Sequence, residues 1–391
     1  EKQLFHVDVI SRDRHYPILP EADIYLGSIM DCNKEYFRVI AKNNQDKLFY
    51  FGGYIGYEEF SKYFKYLDNV NWYGDIQCCI ENLGIEYKYG TDYSLFKGTK
   101  CIPRLTLSNG CTNHCRFCTV PDKVIRTGPL RVSQQIDSFK DLDFELVYLN
   151  DKTFGQCPSY YTLEFIYNVI KEFNPKFRGF VVQTTCAQIK KFWLNLINLK
   201  GLGIVNVELG VESFNNDILK RYNKPQSTDL IELAVNILEE QGVNIIPNII
   251  IGLPGEDMYT YSETLLWIKN NMNRFLMLNI NNFVPYIDSD ASDIVKTQPK
   301  DLRETICKRS YHTDLEALAV QLFSELLFEM GMEIIKKTKT KSCGIYDEPM
   351  CTEMPKYCNK WPCPGNEESK LEPDENGFMC CIKCGGSYGK K

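Results

Sequence analysis

The chain has 391 residues, of which 44% are hydrophobic and 25% charged, and it contains 17 cysteines. A chain of this length is no small disulfide-stapled fold, so clustered cysteines indicate metal binding in a reducing compartment and predict a cytoplasmic location. The net charge of −6 excludes a broadly basic nucleic-acid surface. No apolar run reaches the roughly 18 residues that span a bilayer, so no membrane partner is expected.

Residues 1–98 predict a domain in which short buried strands alternate with amphipathic helices. The strand candidates are FHVDVIS, ADIYLGSI and KLFYFGG, and the helix candidates are NKEYFRVIAKNN and YEEFSKYFKYL. Strands and helices that alternate in this way form a parallel sheet, so we expect a doubly wound α/β domain of the flavodoxin type.

Residues 99–311 continue the alternation of strands and helices at a larger scale. The six strand candidates are RLTLSNG, LVYLND, GFVVQTT, VNVELGVES, VNIIPNIIIGLPGE and MLNINNFVP. Helical segments such as YYTLEFIYNVIKEF separate them. Repeated right-handed β/α crossovers curl into a partial (β/α)6 barrel of the TIM type, in which chemistry lies at the carboxyl ends of the strands.

Residues 312–391 predict a different kind of structure. A long apolar helix, TDLEALAVQLFSELLFEMGM, is expected first, followed by a short strand, EIIKK, and then by a cysteine-rich tail from Ser342. The tail is rich in proline, glycine and charge and shows little periodicity. Such a segment cannot build a core from apolar burial alone, so we expect a metal or a covalent link to hold it.

Three cysteines lie close together in the stretch NGCTNHCRFCTVP, directly after the first barrel strand. They are Cys111, Cys115 and Cys118. Cysteine thiolates hold iron–sulfur clusters, typically four of them for a four-iron cluster. Three local cysteines would leave one iron open, and an open coordination position accepts a substrate or cofactor. A zinc site, which normally takes four ligands, and a trio without metal are the weaker alternatives.

The spacing Cys-x3-Cys-x-aromatic-Cys, with Phe117 as the aromatic residue, resembles the signature of the radical S-adenosylmethionine (SAM) enzymes. The resemblance extends over about residues 102–290. It implies a [4Fe–4S] cluster whose open iron is chelated by SAM, reductive cleavage of SAM, and hydrogen-atom abstraction from a peptide, nucleotide or small-metabolite substrate. It also implies an external low-potential electron donor such as flavodoxin or ferredoxin.

Polar residues at later strand ends correspond to positions at which this family contacts SAM. Asn150 and Asp151 stand where the family has a motif near the SAM amino group, although this sequence departs from the common Gly-Gly-Glu. Glu212 and Ser213 match positions that bind the ribose or the methionyl end. The turn from Gly252 to Glu256 resembles the adenine-contacting turn, in which glycine permits close approach of the backbone.

The phrases GCTNHCRFCTVP, GVES and IIGLPGE are most similar to two branches of the family, the RNA methylthiotransferases and the cobalamin-dependent enzymes. Both carry a doubly wound domain before the barrel. Methylthiotransferases bind a cluster there through three cysteines, but Gly52 and Gly53 stand where one of those cysteines is expected. The FGG at Phe51–Gly53 and the DRH at Asp13–His15 make bound cobalamin a candidate, although Ile18 replaces the expected glycine. The alternative is that His15 is an ordinary loop histidine and that the domain serves packing or partner contact. Methyl or methylthio transfer is therefore the alternative function, and a non-catalytic zinc or cluster scaffold is a third.

Seven cysteines lie in the tail, and many radical SAM enzymes carry auxiliary iron–sulfur clusters in such carboxyl-terminal extensions. We therefore expect at least one auxiliary [4Fe–4S] cluster in this segment. Structural zinc, free thiols and disulfides stay open as alternatives. The predicted ligands are Cys343, Cys351, Cys358, Cys363, Cys380, Cys381 and Cys384.

Overall fold

The computed structural model describes most of the chain between residues 22 and 338, together with three short strands near the carboxyl terminus. The described residues are 22–29, 33–53, 57–85, 91, 93, 101–283, 289, 314–338, 371–373, 378–381 and 387–390. The chain divides into two compact units, and the described residues from Leu26 to Thr338 belong to one while the strands beyond residue 370 belong to the other. Within these ranges no helix is both long and apolar enough to cross a membrane.

A three-stranded sheet forms the first part of the chain. Its strands, in spatial order, are β1 (Ile24–Ile29), β2 (Leu48–Gly53) and β3 (Val70–Trp72). The helices that alternate with them are α1 (Lys34–Asn43), α2 (Tyr57–Tyr63) and α3 (Ile76–Asn82). β2 and β3 pair in parallel, as in a β/α crossover unit. The described strands follow chain order, and the doubly wound domain stays a prediction. The strand candidate FHVDVIS lies outside the described residues.

The second part of the chain alternates strands and helices through the region of the predicted barrel. The strands are β4 (Arg104–Leu105), β5 (Ser108–Asn109), β6 (Ile125–Arg126), β7 (Leu146–Leu149), β8 (Gly179–Thr185), β9 (Ile204–Glu212), β10 (Asn244–Ile251) and β11 (Asn279–Asn282). The helices are α4 (Pro129–Ser138), α5 (Leu163–Phe173), α6 (Cys186–Leu194), α7 (Asn216–Arg221), α8 (Thr228–Glu240) and α9 (Met258–Asn271).

Six of these strands form one parallel sheet in the order β4-β7-β8-β9-β10-β11. The order follows the chain without a reversal, so the sheet curls into an open half-barrel and the predicted partial barrel is confirmed. β5 and β6 form a separate antiparallel hairpin directly after β4. That hairpin places the loop between its strands beside the carboxyl end of the first barrel strand.

Alternate residues of the barrel strands face the surrounding helices and build the core. On β9 these residues are Val207, Leu209 and Val211, all fully buried in the main apolar cluster. Leu149 on β7 and Val182 on β8 belong to the same cluster. Because successive strand residues point to opposite faces, the residues between them line the inner, concave face of the half-barrel.

The prediction of a short strand at EIIKK is wrong. The helix α10 runs from Asp314 to Thr338 and includes these residues. Phe323, Leu327 and Ile334 are buried against the barrel core at helical spacing, so the apolar period continues through the segment. An ion pair of 2.7 Å between Glu333 and Lys337 joins positions i and i+4 on the exposed face.

The described strands of the tail form a small antiparallel sheet of their own. They are β12 (Leu371–Pro373), β13 (Phe378–Cys381) and β14 (Ser387–Lys390), in that spatial order. Leu371 pairs with Cys381, and Phe378 pairs with Lys390. The tail sequence gave no periodic signal for these strands, so sequence reasoning missed them.

Candidate functional site

The three-cysteine stretch forms the loop of the β5–β6 hairpin, at the mouth of the half-barrel. The backbone N–H of Cys111 donates to the carbonyl of Pro121 at 2.9 Å and closes the loop on itself. Gly110 has φ +91°, and a Cβ there would overlap the carbonyl oxygen of Lys123. Only glycine lets the backbone at position 110 come this close to the Lys123 carbonyl, so the loop geometry requires glycine directly before the first cysteine.

A segment that sequence reasoning missed anchors the cysteine loop from the other side. The carbonyl of Tyr222, just after α7, accepts the backbone N–H of Arg116 at 3.0 Å. The side-chain amide of Asn223 donates to the carbonyl of His114 at 2.8 Å. The rings of Phe117 and Tyr222 lie 6.1 Å apart between centroids. The loop is thus held to a segment more than 100 positions away in the chain.

The sulfur atoms of the loop sit among hydrogen-bond donors. The backbone N–H of Asn113 lies 3.4 Å from Cys111 Sγ, and that of Val120 lies 3.4 Å from Cys118 Sγ. The hydroxyl of Thr153 lies 3.1 Å from Cys111 Sγ. Burial raises the pKa of Cys115 to about 11, and the nearby Lys224 ammonium opposes that rise. These donors suit thiolates, the form in which cysteine ligates iron.

The donor set of the loop consists of three thiols. In the part of the chain that the structure describes, no three His, Cys, Asp or Glu side chains converge on one ion position. Cysteine thiolates are the ligands of iron–sulfur clusters, so three of them on one loop suit the predicted [4Fe–4S] cluster by their chemistry. The roles of the three cysteines stay predictions.

A buried ion pair lies beside the loop. Lys224 Nζ is 2.6 Å from Glu212 Oε1, and the two side chains are only 6% and 12% exposed. Burial works against the lysine charge, but Glu212 and the thiols of Cys115 and Cys186 outweigh it and raise the pKa of Lys224. The ammonium also lies 6.0 Å from the centre of the Phe117 ring. Nothing in the sequence marks Lys224, because it stands in an irregular segment before Pro225.

The backbone at the end of β9 makes room for this pair. The pairing of β9 with β10 shifts register after Gly210, and Glu212 adopts a left-handed φ of +65°. A Cβ on Gly210 would lie 2.9 Å from both Glu212 Oε1 and Lys224 Nζ. A non-glycine residue with positive φ is uncommon and is found often at functional sites, where surrounding structure maintains it.

The predicted residues Ser213 and Glu256 lie together, but they are buried. Glu256 is 4% exposed, and its carboxylate accepts the backbone N–H of Leu253 at 3.1 Å. Burial raises the pKa of Glu256 to about 8, although hydrogen bonds from Leu253, Tyr261 and Ser213 work in the opposite direction. In this geometry the two side chains support the turn from within, and direct contact with SAM stays a prediction for both.

The turn itself is built on two glycines with left-handed backbone. Gly252 has φ +85° and Gly255 has φ +96°. The hydroxyl of Tyr222 donates to the carbonyl of Pro254 at 2.9 Å. The same tyrosine therefore ties the turn after β10 to the cysteine loop, so two of the predicted site segments meet through a residue that the sequence did not flag.

The structure places the predicted pair Asn150 and Asp151 at the end of β7. Asp151 is 3% exposed, and its carboxylate accepts the N–H of Leu107 at 2.8 Å and the hydroxyl of Ser108 at 2.5 Å. Burial raises its pKa despite these bonds. Asn150 accepts from Arg104 Nη1 at 3.3 Å. Asp151 thus fixes the start of the hairpin, while Asn150 stays half-buried at the sheet edge.

Residues 105–268 match the model of the Radical SAM superfamily, a range that runs from β4 into α9 and includes the cysteine loop. The chain carries a radical SAM domain. The resemblance predicted from the cysteine spacing is therefore confirmed.

Curated relatives of this chain include two methylthiotransferases. The ribosomal protein uS12 methylthiotransferase RimO of Dictyoglomus thermophilum is 20% identical over 226 residues, which are 51% of this chain and 50% of the relative. The threonylcarbamoyladenosine tRNA methylthiotransferase MtaB of Bacillus subtilis is 22% identical over 242 residues, which are 59% and 52% of the two chains. The chain thus spans about half the length of these relatives.

A solved structure shares the fold of this chain. The radical SAM methyltransferase TsrM from Kitasatospora setae, solved with cobalamin and a [4Fe–4S] cluster, superposes with a TM-score of 0.54 at 12% identity. The match covers 71% of this chain and 67% of TsrM. At this identity the likeness supports the fold, a partial barrel with additions, and nothing further.

A separate cavity lies in the first sheet, outside the matched range. It measures about 500 Å³ and lies at the carboxyl ends of β1 and β2, where it is lined by Ser28, Gly53, Tyr73 and Cys79 among others. Ligands of doubly wound sheets bind at this edge. The Asp13–His15 segment that favours cobalamin lies outside the described residues.

The predicted auxiliary site falls almost wholly outside the described residues. Cys380 and Cys381 lie on β13, and their backbones alone are described. The other five tail cysteines lie beyond the described ranges, so the auxiliary cluster stays a prediction. They are Cys343, Cys351, Cys358, Cys363 and Cys384.

Proposed function

We propose that this chain binds a [4Fe–4S] cluster through Cys111, Cys115 and Cys118 and cleaves SAM reductively to start radical chemistry on a substrate. The observation that carries the proposal is the position of the Glu212–Lys224 ion pair, buried beside the cysteine loop at the mouth of the half-barrel. When bound, the cluster would supply the electron that breaks a carbon–sulfur bond of SAM, and the resulting 5′-deoxyadenosyl radical would take a hydrogen atom from the substrate.

The residues around the loop would prepare the thiols for iron. The charge of Lys224 opposes the rise in the pKa of Cys115 that burial causes, and so it favours the thiolate that iron requires. The N–H groups of Asn113 and Val120 would stabilise the other two sulfurs, and hydrogen bonds to sulfur are one of the determinants of a cluster's potential.

The ion pair would also orient SAM. Lys224 carries a positive charge that suits the SAM carboxylate, and Glu212 carries a carboxylate that accepts ammonium or hydroxyl donors. Both side chains are held by each other and by the bulged end of β9, so they are ordered before any ligand arrives. Preorganised polar groups of this kind cost little reorganisation when the ligand binds.

The test is anaerobic reconstitution with iron and sulfide, followed by iron counting and by measurement of 5′-deoxyadenosine after dithionite reduction with SAM. Replacing Cys111, Cys115 or Cys118 by alanine should remove about four iron atoms per chain and abolish 5′-deoxyadenosine formation. Cys78→Ala, which changes an exposed cysteine on α3, is the matched control and should leave both readings unchanged. Full turnover in any one of the three variants would refute the assignment.

Methyl transfer through cobalamin, or else methylthio transfer, is the second candidate, and the cavity at the edge of the first sheet favours the cobalamin form. The cavity has the position expected for a ligand of a doubly wound sheet, and the structural neighbour TsrM was solved with cobalamin bound. Ser28→Trp should fill the cavity and block uptake of hydroxocobalamin, whereas Asp68→Trp on an exposed turn should not. Equal corrinoid absorption in wild type and Ser28→Trp would remove this candidate.

The tail is proposed to hold at least one auxiliary cluster that exchanges electrons with the substrate radical, and flavodoxin or ferredoxin is proposed as the external donor. Support comes from the seven tail cysteines alone. Deleting residues 342–391 should lower the iron content by about three atoms or more per chain. If iron is unchanged and zinc is lost instead, the tail is a zinc module.

A further inference from the structure

The inner face of the half-barrel carries a row of polar residues, with the apolar Val181 and Ile246 among them. Interiors of (β/α) barrels are normally packed with branched apolar side chains. Here the concave side of the sheet presents a row of polar groups, and a buried polar group without a partner costs free energy. The residues concerned are Arg104, Tyr148, Gln183, Asn206, Glu208, Asn248 and Asn279.

Three of these residues form a connected group. The Tyr148 hydroxyl on β7 donates to Glu208 Oε2 on β9 at 2.7 Å, passing over the intervening strand β8. The Arg104 guanidinium lies 4.5 Å from the centre of the Tyr148 ring. Burial raises the pKa of Glu208, against the hydrogen bond from Tyr148 and the charge of Arg104. A cation bound at Glu208 would favour its ionised form.

Arg104 and Glu208 carry opposite charges on one face, yet they are separated by the phenol ring of Tyr148. In the described part of the chain, Arg104 and Glu208 do not form an ion pair with each other, since no nitrogen–oxygen distance between them is within 4.0 Å. Each is therefore placed to meet a complementary charge on a bound molecule. Tyr148 fixes the spacing between them, because it stacks on one and hydrogen-bonds to the other.

Asn206 gives a second, independent indication of a ligand. It is fully buried two residues before Glu208 on the same strand. Its Oδ1 accepts from Asn244 Nδ2 at 2.8 Å, but its own Nδ2 has no acceptor in the described part of the chain. A buried donor without a partner is rare in folded proteins, and an oxygen of a bound molecule would satisfy it.

The group of Arg104, Tyr148 and Glu208 also lies at a suitable distance from the Glu212–Lys224 ion pair. Glu208 is two residues before Gly210, whose Cβ position touches the Glu212–Lys224 pair. Two residues along a strand correspond to about 6.6 Å. A molecule held at Glu208 would thus lie directly beneath the proposed SAM site.

We propose that this inner-face group binds a zwitterionic, amino-acid-like substrate, with its ammonium group on Glu208 and its carboxylate on Arg104. The identification of the bound molecule as the substrate rests on the proposed function, whereas the binding itself does not. A nucleic-acid substrate is disfavoured, because one arginine and a net charge of −6 provide no track for a phosphate backbone.

The test is binding of the common L-amino acids, one at a time, to the full chain by saturation-transfer difference NMR and calorimetry. At least one free amino acid should bind. Its N-acetyl and carboxamide derivatives, which lack the ammonium and the carboxylate charge respectively, should each bind about tenfold more weakly or worse. Failure of every free amino acid to bind, or binding of adenosine monophosphate in their place, would overturn the proposal.

Variants assign each charge to its residue. Glu208→Gln should abolish the preference for the free amine over the N-acetyl form, and Arg104→Gln should abolish the preference for the carboxylate over the carboxamide. Glu240→Gln, the same change on the exposed end of α8, should keep both preferences. Tyr148→Phe keeps the ring under Arg104 and should weaken only the amine preference. Unchanged preferences in Glu208→Gln would refute the site.

The two proposals can fail separately. Amino-acid binding without 5′-deoxyadenosine formation would leave this site standing and remove the proposed function. The reverse result, SAM cleavage with no amino acid bound, would remove this site alone.

Discussion

The ends of the neighbouring strands β9 and β10 each carry a glutamate, and the two have opposite surroundings. Glu212 after β9 faces a buried lysine at 2.6 Å and is held as one half of an ion pair. Glu256 after β10 has no such cation within the described residues, accepts backbone and hydroxyl hydrogen bonds, and has its pKa raised by burial to about 8. The first carboxylate is part of a buried ion pair, whereas the second supports a turn.

This difference shows that position at a strand end does not by itself make a carboxylate a ligand. A buried carboxylate stays ionised when a cation compensates it, and otherwise it takes up a proton. Family resemblance assigned both glutamates to SAM contact. The structure distinguishes them by their partners, and substitutions at each strand end test that distinction.

Lys224→Met removes the ammonium group that pairs with the buried Glu212 at the end of β9. Glu212 would be left buried without a partner, so the free energy of unfolding should fall by about 3–5 kcal/mol, and iron uptake and SAM cleavage should be lost. Urea unfolding and iron counting measure these effects. The double variant Lys224→Met/Glu212→Met should regain most of the stability and none of the activity. A single variant as stable as wild type would show that the pair is not coupled.

Glu256 predicts a pH dependence of stability at the second strand end. Its pKa lies above the ordinary value of 4.5, so between about pH 5 and 8 the folded chain binds a proton that the unfolded chain has lost. Stability should therefore be greatest at the low end of this range and fall as the pH rises towards 8, by about 2 kcal/mol between pH 6 and 7.5.

Glu256→Gln should flatten this slope, because the amide does not titrate. Urea unfolding at several pH values measures it, with Glu240→Gln as the exposed control. A slope that persists in Glu256→Gln would assign the effect to another group.

Gly255→Ala tests the packing of the second turn. The added Cβ would overlap the Arg221 guanidinium, and the φ of +96° disfavours alanine by itself. Gly84→Ala is the matched control, since Gly84 also has a positive φ but no atom within 4 Å of the Cβ position. We expect Gly255→Ala to cost about 2–3 kcal/mol and Gly84→Ala about 1 kcal/mol. Equal losses would show that the arginine moves away freely.

Tyr222→Phe should have the smallest effect. It removes the hydrogen bond to the Pro254 carbonyl, at a cost of about 1 kcal/mol. Because this bond joins the turn to the segment that holds the cysteine loop, cluster loss during dialysis against a chelator should be faster than in wild type. Tyr259→Phe, an exposed position on α9, is the control.

Sequence reasoning succeeded where the information was local. The strand candidates follow from short apolar runs, and the cysteine spacing identifies the radical SAM domain within eight residues. It failed where a partner is distant. Lys224 meets Glu212 only because α7 returns the chain to the end of β9, and no periodicity encodes that return. It also failed at EIIKK, where burial against the barrel core and helical spacing outweigh the strand preference of two isoleucines.

Gly210 has a consequence for how this domain can change in evolution. The ion pair occupies the volume that any larger side chain at that position would need. A methyl group in place of the glycine side-chain hydrogen would displace Lys224 or Glu212. Position 210 therefore affects the ion pair although glycine has no side chain that could bind a ligand. A chain of this family that acquires alanine there would have to find another way to hold its buried cation, or dispense with it.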